Sequence, residues 1–231
     1  MTKNVEYFGS EKGMAERAVG IFREEYAKAA PGKGFFSMVL SGGRTPALFF
    51  RKLAAQKGLD WRRIFFFFAD ERLVDRKNKN SNFKTANDLL FSKAPIPPLN
   101  IFTVPVSEGS GTAAAYEKII RGFFRSKGGG LSFDLVFLGL GTDGHTASLF
   151  PGSPALGEKK KLAISVLAPP YARPRRRVTL TLSALNSAKI AVFLVSGRAK
   201  KTAFDSLVKA QKNLPASGIR PAAHLYLFYS K

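Results

Sequence analysis

Short runs of consecutive apolar residues alternate with longer stretches of mixed polarity from one end of the chain to the other. Runs such as Phe65-Phe66-Phe67-Phe68 and Leu135-Val136-Phe137-Leu138 are apolar at successive positions, as expected of strands covered by helices on both sides. The pattern predicts strands over 5–8, 35–40, 64–68, 100–106, 134–138, 162–168, 178–182, 190–195 and 225–229. Helices are predicted over 11–30 (closed by Pro31-Gly32), 46–57, 81–92, 112–125 (ended by Gly128-Gly129-Gly130) and 200–211. Repetition of strand, helix, strand implies a parallel sheet with right-handed crossovers. No repeat, low-complexity segment or long linker interrupts it, so residues 1–231 read as one α/β domain, a mostly parallel sheet with helices on both faces.

Ligands of such sheets bind beyond the carboxyl ends of the strands. The loops after Leu40, Phe68 and Leu138 are therefore the places to search. The first is Ser41-Gly42-Gly43-Arg44-Thr45-Pro46. Thr45 suits an N-cap and Pro46 the first helical position. The two glycines let the backbone turn and present N–H groups at a helix start, a ready anion site to which Arg44 adds a guanidinium. It is no Walker A loop, because the Gly-Lys-Ser/Thr ending is missing. A tight turn with a surface arginine explains it equally well. The second is Ala69-Asp70-Glu71-Arg72, where an acidic pair is catalytic, holds substrate or simply pairs with the neighbouring arginine. Asn80-Ser81-Asn82 follows, and helix capping accounts for it locally.

The third runs from Gly139 to Gly152 and formally matches G-x-G-x-x-G after a strand. A dinucleotide site needs a longer following helix, and here Pro151 halts the expected helix after about two turns. Asp143 would also set a negative charge beside the phosphates. What remains is His145, two residues after Asp143, a candidate general base in a glycine-loosened loop. The second histidine, His224, opens an apolar strand and reads as structural.

Composition narrows the chemistry. The chain has no cysteine, so disulfides, thiolate catalysis and thiolate-held zinc are excluded, and two histidines exclude most histidine-rich metal sites. The longest apolar run, 64–69, stops at Asp70, far short of the ~20 residues of a membrane span. The N-terminal MTKNVEYFGSEKG lacks the apolar core of a signal peptide, which places the expected site of action in the cytoplasm. The outlier is charge: 37 Lys and Arg against 16 Asp and Glu give +21. Nucleic acid, anionic membrane and acidic metabolites are the partners such a surplus suggests. The basic residues are scattered, with no heptad array, zinc-finger spacing or RNP-like aromatic motif, so most read as solvated surface.

LGLGTDGHTASLFPG resembles the signature of the 6-phosphogluconolactonases. SGGRTP resembles that family's SGG-x-TP loop, and ADERLV followed by NSN its ADER and SN elements. RVTLTLSALNSA, FLVSGRAKK and LPAS resemble its later motifs, in the family's order, over about residues 37 to 217. The C-terminal HLYLFYSK departs from the family's Trp- and Asp-containing ending. The resemblance implies a Rossmann-like α/β fold, shared with glucosamine-6-phosphate deaminases and ribose-5-phosphate isomerases. It also implies an ester hydrolase that converts 6-phosphoglucono-1,5-lactone to 6-phosphogluconate in the oxidative pentose phosphate pathway, without metal or organic cofactor.

In that reading His145 takes a proton from water and returns it to the ring oxygen, while Asp143 and Asp70 orient the imidazole or the sugar hydroxyls. Arg72 and loop N–H groups face the oxyanion. Ser41, Gly42, Gly43, Arg44, Thr45 and Lys200 hold the phosphate, assisted by Arg177 or a neighbour in 173–177. The expected partner is the sugar-phosphate lactone, with no obligate nucleic acid and no membrane, and the chain acts as a monomer or weak homo-oligomer. A serine-nucleophile esterase is disfavoured, because no G-x-S-x-G elbow exists. The alternatives are a sugar-phosphate isomerase or deaminase of the same superfamily, a basic nucleic-acid-binding protein, and a binding module without catalysis. The deaminase loop resembles D-G-H-I-A-F-N-E-P, and counting from Asp143 its glutamate falls on Phe150, which cannot transfer a proton.

Overall fold

The computed structural model describes the backbone of residues 1–231 and all side chains except those at 30, 31 and 108. The strands are β1 (Thr2–Phe8), β2 (Phe36–Leu40), β3 (Ile64–Phe68), β4 (Asp70–Arg72), β5 (Leu135–Leu138), β6 (Ala163–Leu167), β7 (Arg176–Leu180), β8 (Ile190–Ser196) and β9 (His224–Ser230). The helices are α1 (Glu11–Lys33), α2 (Thr45–Ala54), α3 (Asn82–Ala86), α4 (Thr112–Ser126), α5 (Leu182–Asn186) and α6 (Lys201–Val208). Among the described residues, no helix is long and apolar enough to cross a membrane.

Six strands form one sheet in the order β1-β9-β8-β5-β2-β3. Every neighbouring pair in it is parallel, as the doubly covered apolar runs require. The chain builds outward from β2 to β3 on one side and from β5 through β8 to β9 on the other. The adjacent strands β2 and β5 are therefore the topological switch point, where the two loops that leave them open a crevice. This is the α/β, mostly parallel, Rossmann-like architecture expected.

The remaining strands form a separate antiparallel sheet, β4-β7-β6. Ala69 joins the two sheets: its N–H donates to Leu40 O (2.8 Å), and its carbonyl accepts from Leu180 N (2.7 Å). Neither β4 nor α5 is visible in the hydrophobic pattern. At the outer edge of the large sheet the Tyr116 hydroxyl, fully buried on α4, accepts from Phe68 N (2.7 Å) and donates to Phe68 O (2.9 Å). The same edge is packed by rings: Phe67 lies within 5.3 Å of the ring centres of Phe102, Phe123 and Phe133.

Several expectations are corrected. The strand expected over 100–106 is a single parallel bridge from Ile101 to Phe66, flanked by 3-10 turns at Pro98–Asn100 and Val106–Gly111. Pro97, Pro98 and Pro105 lack the N–H groups a ladder needs. Asn100 turns inward and donates to the carbonyls of Trp61, Arg62 and Ile64. The helix expected over 81–92 is α3 followed by a π-turn at Asn87–Phe91. The short helix expected after His145 is a run of turns with a Thr146–Leu149 bridge and Ala147 at φ 49°. Thr45 is not the N-cap of α2. Arg44 occupies that position without a side-chain cap, and the Thr45 hydroxyl lies 3.1 Å from Ser196 Oγ.

Candidate active site

The crevice at the switch point is a cavity of about 320 Å³. Ser41, Gly42 and Gly43 enter it from the loop after β2, and Asp70 and Arg72 from β4. Gly139 to Thr142 and His145 come from the loop after β5, Arg177 from β7 and Lys200 from the turn after β8. Residues far apart in sequence meet because the β2, β5 and β8 loops all leave the same end of a parallel sheet, while β4 and β7 lean across it. Of the expected residues, these eight line the cavity: Ser41, Gly42, Gly43, Asp70, Arg72, His145, Arg177 and Lys200. Arg44 is exposed beside it, and Thr45 is turned to Ser196.

His145 Nδ1 lies 2.5 Å from Asp143 Oδ1, and the Tyr171 hydroxyl donates to Asp143 Oδ2 at 2.7 Å. Burial pushes the Asp143 carboxyl up, but the Tyr171 bond and the contacts with His145 outweigh it and hold it below the ordinary value. An ionised Asp143 accepts from Nδ1–H, which in the neutral ring sets the tautomer with its lone pair on Nε2. The aspartate bond in turn pushes the Tyr171 hydroxyl up. Close approach makes Gly141 obligatory: a Cβ there would lie 2.1 Å from His145 Nδ1. The Phe150 ring packs 4.5 Å from the imidazole, centre to centre.

Asp70 is 5% exposed and fully engaged, accepting at Oδ1 from Asn82 Nδ2 (2.9 Å) and at Oδ2 from Ser148 Oγ (2.5 Å). Asn82 also excludes any side chain at Gly42, where a Cβ would stand 1.8 Å from its Oδ1. Glu71 points away from the cavity into the start of α3. It accepts from the backbone N–H groups of Arg72, Asn82 and Phe83 and from Ser81 Oγ. Burial nevertheless pushes its pKa up. The capping reading of 80–82 therefore holds for Ser81, whose Oγ accepts from Lys84 N, whereas Asn82 belongs to the site.

The cavity wall is cationic. Arg177, 5% exposed, donates to the carbonyls of Pro174 and Ala172, and its guanidinium sits 5.5 Å from the Phe150 ring centre. Arg72 donates through one terminal nitrogen to Asn80 O (2.7 Å), while its buried Nε has no partner. Ser41 Oγ is likewise buried and unpartnered. Burial lowers the Lys200 pKa, and Arg44 nearby lowers it further. Such a wall is charged, desolvated and short of acceptors, which suits an incoming anion. Among the described residues no group of three or more His, Asp or Glu side chains could hold a metal ion.

Three contributors escaped sequence reasoning. Ser148 stood unremarked in the loop after β5, and Asn82 was absorbed by capping. Tyr171 carries no local signal, since only the β6–β7 connection brings it to Asp143, 28 residues away.

Comparison with known proteins agrees with this architecture. The model of the family described as glucosamine-6-phosphate isomerases/6-phosphogluconolactonase matches residues 9–227. The chain is 36% identical to 6-phosphogluconolactonase of Thermotoga maritima over the full length of both. It is 33% identical to 6-phosphogluconolactonase of Synechocystis sp., covering 97% of this chain and 94% of that one. The crystal structure of the Thermotoga maritima 6-phosphogluconolactonase superposes with a TM-score of 0.88, covering both chains completely. With a matching fold, a polar crevice at its switch point and this similarity along its length, the chain belongs to the glucosamine-6-phosphate isomerase/6-phosphogluconolactonase family.

Proposed function

We propose that the protein hydrolyses 6-phosphoglucono-1,5-lactone to 6-phosphogluconate in the oxidative pentose phosphate pathway, with His145 as the base. The observation that carries the mechanism is the line from Tyr171 through Asp143 to His145, ending at a cavity walled by Arg72, Arg177 and Lys200. His145 Nε2 takes a proton from a water as that water attacks the lactone carbonyl. The resulting oxyanion is stabilised by Arg72, whose buried Nε lacks any internal acceptor. On collapse the ring C–O bond breaks, and the imidazolium returns the proton to the departing oxygen. Lys200, Ser41 and the backbone of Gly42 and Gly43 hold the phosphate, with Arg44 contributing charge from the rim. Arg177 and Asp70, each fixed by its own partners, meet the sugar hydroxyls.

The isomerase or deaminase reading requires a further acid–base group beside the histidine. Phe150 occupies that side of the ring and offers none, which favours hydrolysis. The reading takes residues 1–231 as one unit, cytoplasmic, a monomer or weak homo-oligomer, using neither metal nor organic cofactor. The test is a coupled assay with freshly generated lactone, corrected for spontaneous hydrolysis, run with and without EDTA, beside an ammonia assay on glucosamine 6-phosphate. Rapid EDTA-insensitive lactone hydrolysis without ammonia release is expected. Ammonia release with no acceleration of lactone hydrolysis would reverse the assignment, and EDTA inhibition relieved by a divalent cation would overturn its metal-free part.

A further inference from the structure

The two glycines of the loop after β2 are glycines for different physical reasons. Gly43 takes φ 106°, in the left-handed region, and a Cβ there would meet nothing within 4 Å. Backbone conformation alone accounts for it. Gly42 is not among the residues of positive φ. A Cβ on it would instead stand 1.8, 2.2 and 2.8 Å from Oδ1, Cγ and Nδ2 of Asn82. Gly42 is glycine because the Asn82 carboxamide occupies the space of a side chain.

Asn82 is held at both ends. Its backbone N–H donates to Glu71 Oε1 (2.8 Å), and the buried Glu71 carboxylate takes three further donors. Its Nδ2 donates to Asp70 Oδ1 (2.9 Å) and to Asp70 O (2.8 Å). Those two acceptors fix which end carries the NH2 group, so Oδ1 is the atom turned to Gly42. Oδ1 is buried and has no donor. Leaving that carbonyl unsatisfied costs stability, and what the arrangement gains is a fixed contact between β4 and the loop.

The loop needs such a contact. No described hydrogen bond uses the N–H or C=O groups of Gly42 or Gly43. Their N–H groups are left open for an anion, so the loop takes its position from packing instead.

We propose that Asn82 is a positioning residue that sets the distance between the phosphate loop and Asp70. It thereby selects ligands whose phosphate and hydroxyl groups are spaced to meet both. This rests on the reading of Ser41 to Gly43 as the phosphate site and of Asp70 as a group that meets the sugar hydroxyls. Asn82 itself lies outside the cavity lining and acts through the two elements it joins.

A thermal-unfolding cycle over Gly42→Ala, Asn82→Ala and the double variant tests the interlock without any ligand. Gly42→Ala should lower the midpoint by roughly 2–10 °C in the otherwise unaltered chain. In the Asn82→Ala background it should cost much less, because the group it collides with is gone. Additive effects would overturn the proposal. Binding then reads the spacing, by NMR titration of the Gly42 and Gly43 amides. Inorganic phosphate fills only the loop, whereas 6-phosphogluconate also reaches Asp70. Asn82→Ala should weaken 6-phosphogluconate about tenfold or more, and inorganic phosphate by less than about threefold. Equal weakening of the two ligands, or of neither, would overturn the positioning role. If Asn82→Ala does not fold, Asn82→Ser takes its place in both tests, keeping a donor beside Asp70 but no amide carbonyl. Failure of both ligands to bind the unaltered chain would overturn the phosphate reading itself, while the unfolding cycle still decides whether Asn82 and Gly42 interlock.

Discussion

β2 of the parallel sheet, Phe36–Leu40, is buried at all five positions, and only Ser37 among them is polar. β4 of the antiparallel sheet is Asp70, Glu71 and Arg72, of which the first two are nearly as inaccessible, at 5% and 3% exposed. The parallel strands satisfy one another's backbones and need only apolar packing on either side. Each buried charge of β4 needs partners of its own, because an unpaired ion out of water is far costlier than an unpaired apolar group. Asp70 has Asn82 and Ser148, and Glu71 has three backbone N–H groups and Ser81. The large sheet is thus a frame, and the small one sets charged side chains across its end. Damage to the first should appear as lost stability, and damage around the second as lost activity.

The sharpest separation is expected at His145. His145→Ala should lower kcat by about 10²- to 10⁴-fold, the usual worth of general acid–base catalysis, with KM and thermal stability nearly unchanged. Steady-state kinetics with near wild-type turnover would make the histidine structural and sink the mechanism.

Lys200→Ala comes next. Removing a charge-assisted contact to phosphate, worth about 1.5–3 kcal/mol, should raise KM roughly 10- to 150-fold with a smaller effect on kcat. The exposed Arg44, outside the cavity lining, should matter less, and the ratio of the two KM values measures that difference.

Tyr116→Phe probes the frame where it hands over to β4. It strips the buried Phe68 N–H and C=O of their partner, at a cost of about 1–3 kcal/mol by denaturant titration. At temperatures where the variant is folded its kcat should be close to wild type. A large fall in kcat without loss of stability would mean that the frame and the site are not separable at this junction.

The smallest effect is expected at Tyr171. The Asp143 carboxyl lies below its ordinary value in the folded chain. A depressed carboxyl contributes stability that is fully present above the unfolded value of about 3.9 and is lost as pH falls through the folded one. Tyr171→Phe removes a donor to the ionised form, so the folded pKa should rise towards the unfolded value, and the stability lost on acidification should be smaller and complete at higher pH. A carbon-13 titration of the Asp143 carboxyl reads this shift, and an unmoved titration would leave Tyr171 without influence on the pair.

The alternation of apolar runs and helical stretches was legible along the chain because period and turn chemistry are local. So were the loops after Leu40, Phe68 and Leu138, since a parallel sheet sends its ligand to the ends of its strands. The glycine-loosened loop after Leu138 singled out His145 beside Asp143, and motif resemblance then added Lys200 beyond those loops. Local pattern also misled: the run at 100–106 makes a single bridge to Phe66 between proline-containing turns, and Thr45 sits beside Ser196 instead of capping α2.

Other features depended on strand order. β4 is three charged residues, too short and too polar to show any period, and it exists as a strand because β7 pairs with it. Asn82 looked like a cap until the approach of α3 set its amide between Asp70 and Gly42. Tyr171 reaches Asp143 only because β6 and β7 carry their connecting loop over the end of the parallel sheet. Periodicity and turn propensity act between near neighbours in the chain, whereas these hydrogen bonds join residues whose distance is set only once the sheets have ordered their strands.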